Sequence, residues 1–456
     1  MKKSKWEKKP WAPKKITYVP TDEALTPSAG LGALVDLFVE SPLFEKFRAC
    51  LPVRKSNASF DSAHFACTFL SGFWYGHDSL DDMEEFENDP SVEEKLGELP
   101  SARAAGDFLR DFSEENRTAL NSFLVAQALA GRKQIKPEEP ITLDIDSTAH
   151  VQSGDKMEGL AFNYKNQWCL DSQVIFDELG LSYGMELRSG NTFSSEGSAE
   201  MIERVLKKLP QLSKGRKHSV RADSAYCRED FIRMCLLNNT YFTITAHDNI
   251  NWTEMVDKIT DWEPHVYTAE ELKSAEKRKR KLPKIELGHF LYQPGWSENL
   301  RFPVIIKRTW IEGEEGTLLD MGYWKYYAVM TNRAQHKKQE IMEHHQKRGN
   351  SENFIREEKY GYDLKHFPCQ KLNANHAYGL LATVAHNFLR TIALIDKPDR
   401  PHYSKKLRRK FVYIPGRFVK HARSLVMKIP KRYYEEVTRL QQAWANSFQL
   451  ALAPGS

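Results

Sequence analysis

Cysteine is scarce in this chain and never closely paired. The six cysteines stand at positions 50, 67, 169, 227, 235 and 369, and no two form a CxxC pair. That spacing excludes a zinc site of the usual kind and offers no disulfide framework. With 456 residues the chain is long enough to bury two or three cores without cross-links. An apolar signal segment is also lacking at the N-terminus, and no run of about eighteen consecutive apolar residues exists. The expectation is a reduced, cytoplasmic protein with no membrane partner. Net charge is small as well: 66 basic against 61 acidic side chains leave +5, too little to diagnose a nucleic-acid partner from the total.

What the total hides is clustering. The first fifteen residues hold seven lysines and one acid, Glu7, whereas Asp78 to Glu98 is strongly acidic. Residues 405–432 hold eleven Lys or Arg, Arg408, Arg409 and Lys410 among them, and no acid. A solvated face is the ordinary reading of one such run. A phosphate backbone also rewards dense cations through counterion release, as would an anionic membrane surface.

Patterning divides the chain into six stretches. Residues 1–27 read as a flexible basic N-terminus with Pro10, Pro13 and Pro20. Residues 28–135 read as a helical subdomain, with Leu31, Leu34, Val35, Phe38 and Leu43 on one stripe. Residues 136–247 switch to period two: Ile141 to Asp146, Cys169 to Phe176 and Leu181 to Leu187 read as strands. The order of three strands, helix, strand, helix, strand predicts a mixed α/β sheet. Residues 248–324, rich in tryptophan, read as a β insertion, after which 325–400 resume the core, with a helix from Lys337 to about Lys359 broken near Gly349. Residues 401–456 form a basic C-terminal region in which Pro415 and Gly416 speak against a single helix.

Three acids stand out. Asp146 and Asp223 each follow apolar strand residues and precede small polar ones. Alone, either is more often a helix cap or turn acceptor. On neighbouring strands, both would meet at one point, and a third acid would let them hold two hard divalent ions. Glu352, Arg356 and Lys359 share one side of a helix at spacings of four and three, with Arg348 one turn before Glu352. A salt-bridged solvent face is the plain alternative. Asp144 shares a strand face with Asp146 and is an outside candidate.

These residues carry a resemblance. The chain resembles the DDE transposases of the IS4 type, and most of all their IS1380-like branch. Leu143-Asp-Ile-Asp-Ser-Thr148 is similar to the family's first-acid segment, and Ala222-Asp-Ser-Ala-Tyr226 to its second. The family signature of Tyr, two residues, Arg, three residues, Glu, six residues, Lys is matched by His345, Arg348, Glu352 and Lys359, with His345 replacing the tyrosine. The resemblance implies a ribonuclease-H-like catalytic core and a catalytic, metal-holding triad of Asp146, Asp223 and Glu352. It also implies Mg²⁺, with Mn²⁺ able to substitute, and DNA contacts from His345, Arg348 and Lys359. The implied activity is cutting at terminal inverted repeats and joining 3′-hydroxyl ends to target DNA, by a homodimer assembled on double-stranded DNA. The basic run adds Arg408, Arg409 and Lys410 as expected backbone contacts. A related metal-dependent nuclease, or a domesticated non-catalytic DNA-binding protein, stays open as an alternative.

Overall fold

The computed structural model describes residues 16–448 except 56–57, 87, 134, 137–138, 214, 314–321 and 422–423. The lysine-rich stretch expected to be flexible lies, over residues 1–15, outside the described residues. In chain order the strands are β1 (Leu25–Thr26), β2 (Thr142–Val151), β3 (Ala161–Phe162), β4 (Trp168–Asp177), β5 (Ser182–Ser189), β6 (Ser219–Ala222), β7 (Tyr241–Thr245), β8 (Glu263–Pro264), β9 (Ile285–Tyr292), β10 (Phe302–Ile311), β11 (Tyr323–Thr331), β12 (Gly416–His421) and β13 (Ser424–Lys428).

Ten of them form one sheet. Its path is β3-β4-β2-β6-β7-β11-β10-β9-β8, with β5 also on β4. β2 is antiparallel to β4 and parallel to β6, and β6 is parallel to β7. The strand, helix and strand order of 142–245 is therefore as the patterning predicts, with helices Ser198–Leu206 and Glu229–Leu237 as crossovers. The insertion is not a separate body. β9 and β10 continue the central sheet beyond β11 as an antiparallel meander. Short helices at Trp252–Val256 and Ala269–Lys277 accompany them.

Alternation along the strands sends residues to two cores. On one face Leu143, Ile145, Val220, Ala222, Phe242 and Ile244 pack against the two crossover helices. The other face, with Leu170, Val174 and Phe176, meets a thick helical layer. That layer is built around Leu372–Asp396, whose residues are buried on nearly every side. By length and composition this helix alone among the described residues could cross a membrane, yet 89% of its apolar window is buried inside the protein. A helix apolar all round must be covered all round. Trp74 and Phe388, Phe388 and Trp444, and Phe73 and Tyr378 meet as ring pairs that supply this cover. Here the expectation of a self-contained N-terminal subdomain is corrected. Helices Ala29–Val39, Ser62–Tyr75, Ala102–Arg110 and Glu114–Lys133 share one core with Leu407, Phe411, Leu440 and Trp444 from the C-terminal region. β1 pairs with β12, which ties the two ends in a small second sheet.

The helix from Lys337 is broken as expected. Lys338–Gln346 and Ser351–Gly361 flank a 3₁₀ turn at Lys347–Asn350. The second helix seats Phe354 on Phe176 and against the β4–β5 turn. There Gly180 has φ +81°, and a Cβ would lie 2.4 Å from the Phe354 ring, so only glycine suits the position.

Glu358, on the inner side of this helix, is buried, and its Oε1 has no hydrogen-bond partner among the described residues. Burial pushes its carboxyl up to about 8 from 4.5. The folded state therefore binds more protons than the unfolded chain between those values. The stability contribution is complete below about pH 4.5 and is lost as pH rises to about 8. Glu358→Gln is expected to melt several degrees higher than the parent above about pH 8, with the difference vanishing toward pH 4.5. Thermal unfolding across that range checks it; a pH-independent difference would contradict it.

Candidate active site

The site begins with a parallel register. β2 and β6 pair Leu143 with Val220 and Asp144 with Arg221. The first pair faces the crossover helices; the second faces the opposite way. Asp144 accepts two hydrogen bonds of 2.6 Å from Arg221, and both side chains are almost wholly buried. Arg221 also donates to the carbonyl of His344 at 2.7 Å. One guanidinium thus joins two strands to the end of helix Lys338–Gln346. Asp144 is thereby accounted for as an anchor and is not free to hold a metal.

Two residues further along each strand, on that same face, stand Asp146 and Asp223. β6 ends at Ala222, and the Asp223 carboxylate caps the 3₁₀ turn Ser224–Tyr226 by accepting from the Ala225 amide at 2.9 Å. Asp146 accepts from the Ser147 amide at 2.9 Å. Burial pushes the Asp146 carboxyl up to about 6; Arg348 opposes the rise, and the negative charge of Asp223 adds to it. The aspartates are therefore electrostatic neighbours. Tyr226 lies buried beside them, its hydroxyl pushed up by burial and then by both carboxylates.

The broken helix supplies the cations. Arg348, in the 3₁₀ turn, donates to Asp146 Oδ2 at 3.1 Å. Burial lowers its pKa, but Asp146 and Asp223 outweigh it and hold the guanidinium above its usual value. Lys359 donates to Thr148 Oγ1 at 2.7 Å and to the Ala149 carbonyl at 2.6 Å. The two cations of the signature thus both reach β2.

Glu352 does not join the aspartates. It is exposed on the first turn of its helix. Among the described residues no three His, Cys, Asp or Glu side chains converge closely enough to hold a metal ion. The expected three-acid cluster is thus not formed among the described residues; the charged partner on Asp146 is Arg348. The donor set still fits a divalent cation chemically. Two adjacent carboxylates offer the hard oxygens that such an ion takes.

Three expected DNA contacts lie elsewhere. His345 is buried, with Nε2 against Tyr327 and Thr245 hydroxyls at 2.9 and 3.1 Å and Nδ1 against Thr243 at 3.1 Å. Burial, then Arg348, lowers its pKa to about 3, so it is a neutral strut between helix and sheet. Arg408 is buried too. It donates to the carbonyls of Trp74 at 3.0 Å, Phe73 at 2.6 Å and Gly361, where two helices end. A cation there completes unsatisfied carbonyls. Lys410 is held by Asp396 at 2.8 and 2.9 Å. Arg409 alone of the three is exposed. Sequence reasoning missed Arg221, although a lone arginine within the short strand Ser219–Ala222 was a usable signal of a buried partner.

Removing one member of a buried pair leaves the other charge unpaired. Arg221→Ala is expected to cost about 3–5 kcal/mol in denaturant unfolding. The double replacement Asp144→Leu with Arg221→Met is expected to recover most of that loss. Equal losses for both variants would show that the pair does not anchor the strands.

Comparison with known proteins adds one broad match. A family model described as transposase DDE domain, group 1, matches residues 8–449. A cryo-EM structure of a piggyBac transposase synaptic complex with hairpin DNA is similar over 93% of this chain and 86% of that chain, with 11% identity and a TM-score of 0.41. No curated protein matches.

Proposed function

Because this chain belongs to the DDE transposase family, group 1, which spans nearly its whole length, we propose that it cuts DNA at the terminal inverted repeats of an insertion sequence and joins the freed 3′-hydroxyl ends to target DNA. The observation that carries the reading is Asp146 and Asp223 side by side, with Arg348, from the 3₁₀ turn before the helix bearing Glu352, on Asp146. The strand order β5-β4-β2-β6-β7 supports a ribonuclease-H-like core, since the first three strands are antiparallel and the last two are added in parallel.

On this reading Asp146 and Asp223 hold one Mg²⁺, Glu352 helps to hold a second, and Mn²⁺ substitutes. Such ions, when bound, activate the attacking hydroxyl and stabilise the leaving oxygen of an in-line displacement. The chain's own residues do the positioning. The Asp144–Arg221 pair fixes the spacing of the two strands, and His345 fixes the helix. Arg348 is a bidentate donor suited to a phosphate oxygen, and a phosphate that draws it from Asp146 frees that carboxylate. Lys359 braces the far end of the helix on β2. Two DNA ends require two such centres, which fits a homodimer assembled on double-stranded DNA in the cytoplasm.

Asp146→Asn, Asp223→Asn and Glu352→Gln are each expected to lose cleavage of a terminal-repeat duplex by several orders of magnitude in Mg²⁺ while retaining DNA binding. A cleavage assay beside a binding titration measures both. A near-parent cleavage rate for any one variant removes that residue from the triad; loss of binding in all three points to misfolding and is checked by melting temperature.

A further inference from the structure

A cleft of about 1120 Å³ lies outside the pair of aspartates. It exceeds the roughly 300–1,000 Å³ of a small-molecule pocket. Its lining includes Asn350 and Asn353, which flank Glu352 in sequence, residues 399–403, 405–406 and 409–410, and Arg432 and Tyr433. We propose that this cleft seats one unpaired DNA strand, an inference that rests on the transposase reading above.

Uncommitted charge in the cleft is positive. Among the described residues no ion pair is formed by Arg390, Arg400, Lys405, Lys406 or Arg409, all of which line it. Of the acids that share the lining, Glu178 is taken by Arg132 at 2.7 Å and Glu436 faces Lys410 at 3.8 Å, which leaves Asp399. His402 also lines the cleft, where burial and then Lys406 and Lys397 lower its pKa. Arg390 is fixed in place, donating through Nε to the Leu179 carbonyl at 2.6 Å with its guanidinium over the Phe354 ring. Ordering that donor on binding therefore costs little.

Aromatic faces stand among these cations. Tyr403 is 45% exposed at the cleft, and Tyr433 lines it beneath Arg432, whose guanidinium lies 4.5 Å from the ring centre. Cations that follow a backbone, interleaved with rings for stacking, are the physical signature of single-strand binding. Stacked duplex bases offer only their edges in the grooves and cannot use a ring in a cleft. Asn350 and Asn353, which flank Glu352 in sequence, bring the cleft to the helix that carries that acid.

The test uses the full chain carrying Asp146→Asn, so that the probe is not consumed. Anisotropy titrations compare a single-stranded oligonucleotide of mixed sequence with its duplex at several salt concentrations. Lys405→Ala, Lys406→Ala and Arg409→Ala combined are expected to weaken single-strand binding roughly tenfold or more and to reduce the salt slope by about 0.7 per lost contact. Tyr403→Ala is expected to weaken single-strand binding roughly fivefold or more, with duplex binding near parent, and Tyr403→Phe to restore it. Equal losses for both probes, or no loss for either, would overturn the proposal. The outcome is separable from the cleavage chemistry. If Asp223→Asn still cut DNA, the active-site reading would fall while the strand-binding result stood; unchanged strand affinity in the cleft variants would remove only the cleft.

Discussion

One buried ion pair sets the geometry on which the site depends. Asp144 and Arg221 face each other across the parallel register of β2 and β6. Each precedes a site aspartate by two residues, so the strand period carries Asp146 and Asp223 onto the same face at neighbouring positions. The third donor of Arg221 takes the His344 carbonyl, which brings the end of a helix to the same point. Burying two charges is expensive, and an apolar pair could stabilise the sheet as well or better. What the ion pair adds is direction: its bidentate geometry fixes which residues face each other, and a slip of either strand by one residue would turn that strand's aspartate toward the opposite core.

Around that anchor, cations and carboxylates are arranged by burial. Arg348 neutralises part of the charge of two close carboxylates, and His345, kept neutral, joins Tyr327 and two threonines to hold the helix on the sheet. Glu352, one turn past Arg348, is left in solvent. The arrangement separates roles by depth: side chains that set geometry lie inside, and those with a free charge lie at the surface or in the cleft beside the C-terminal segments.

Much of this was legible from local pattern. Period two marked β2, β4 and β5, and the acid just after β6 followed from where apolar residues stop, whereas β2 runs on past Asp146 to Val151. The break near Gly349 fell where the helix gives way to a 3₁₀ turn. What pattern does not carry is partner identity. Arg408 looked like its neighbours in a basic run, yet it is buried against three carbonyls contributed by residues far away in sequence. His345 matched a signature spacing, but that spacing says nothing of Tyr327 across the sheet. The helical stretch 28–135 looked self-sufficient because its stripes are amphipathic; the helix that most of them cover is more than two hundred positions downstream, and only the fold shows it.

That last separation has a consequence for how the chain is made. The helix Leu372–Asp396 is the centre of the helical layer, and its cover comes from both the first third of the chain and the segments after residue 404. During synthesis the early helices emerge long before the surface they are to bury, and the apolar helix emerges before its C-terminal cover. Such long-range closure is slow and leaves apolar surface exposed in the interim. The helix bearing Glu352 is packed through Phe354 and Ile355 into this same late core. Assembly of the candidate site therefore waits on these late segments, and a ribosome-bound fragment carrying both aspartates lacks the packing that holds Arg348 on Asp146 and Lys359 on β2.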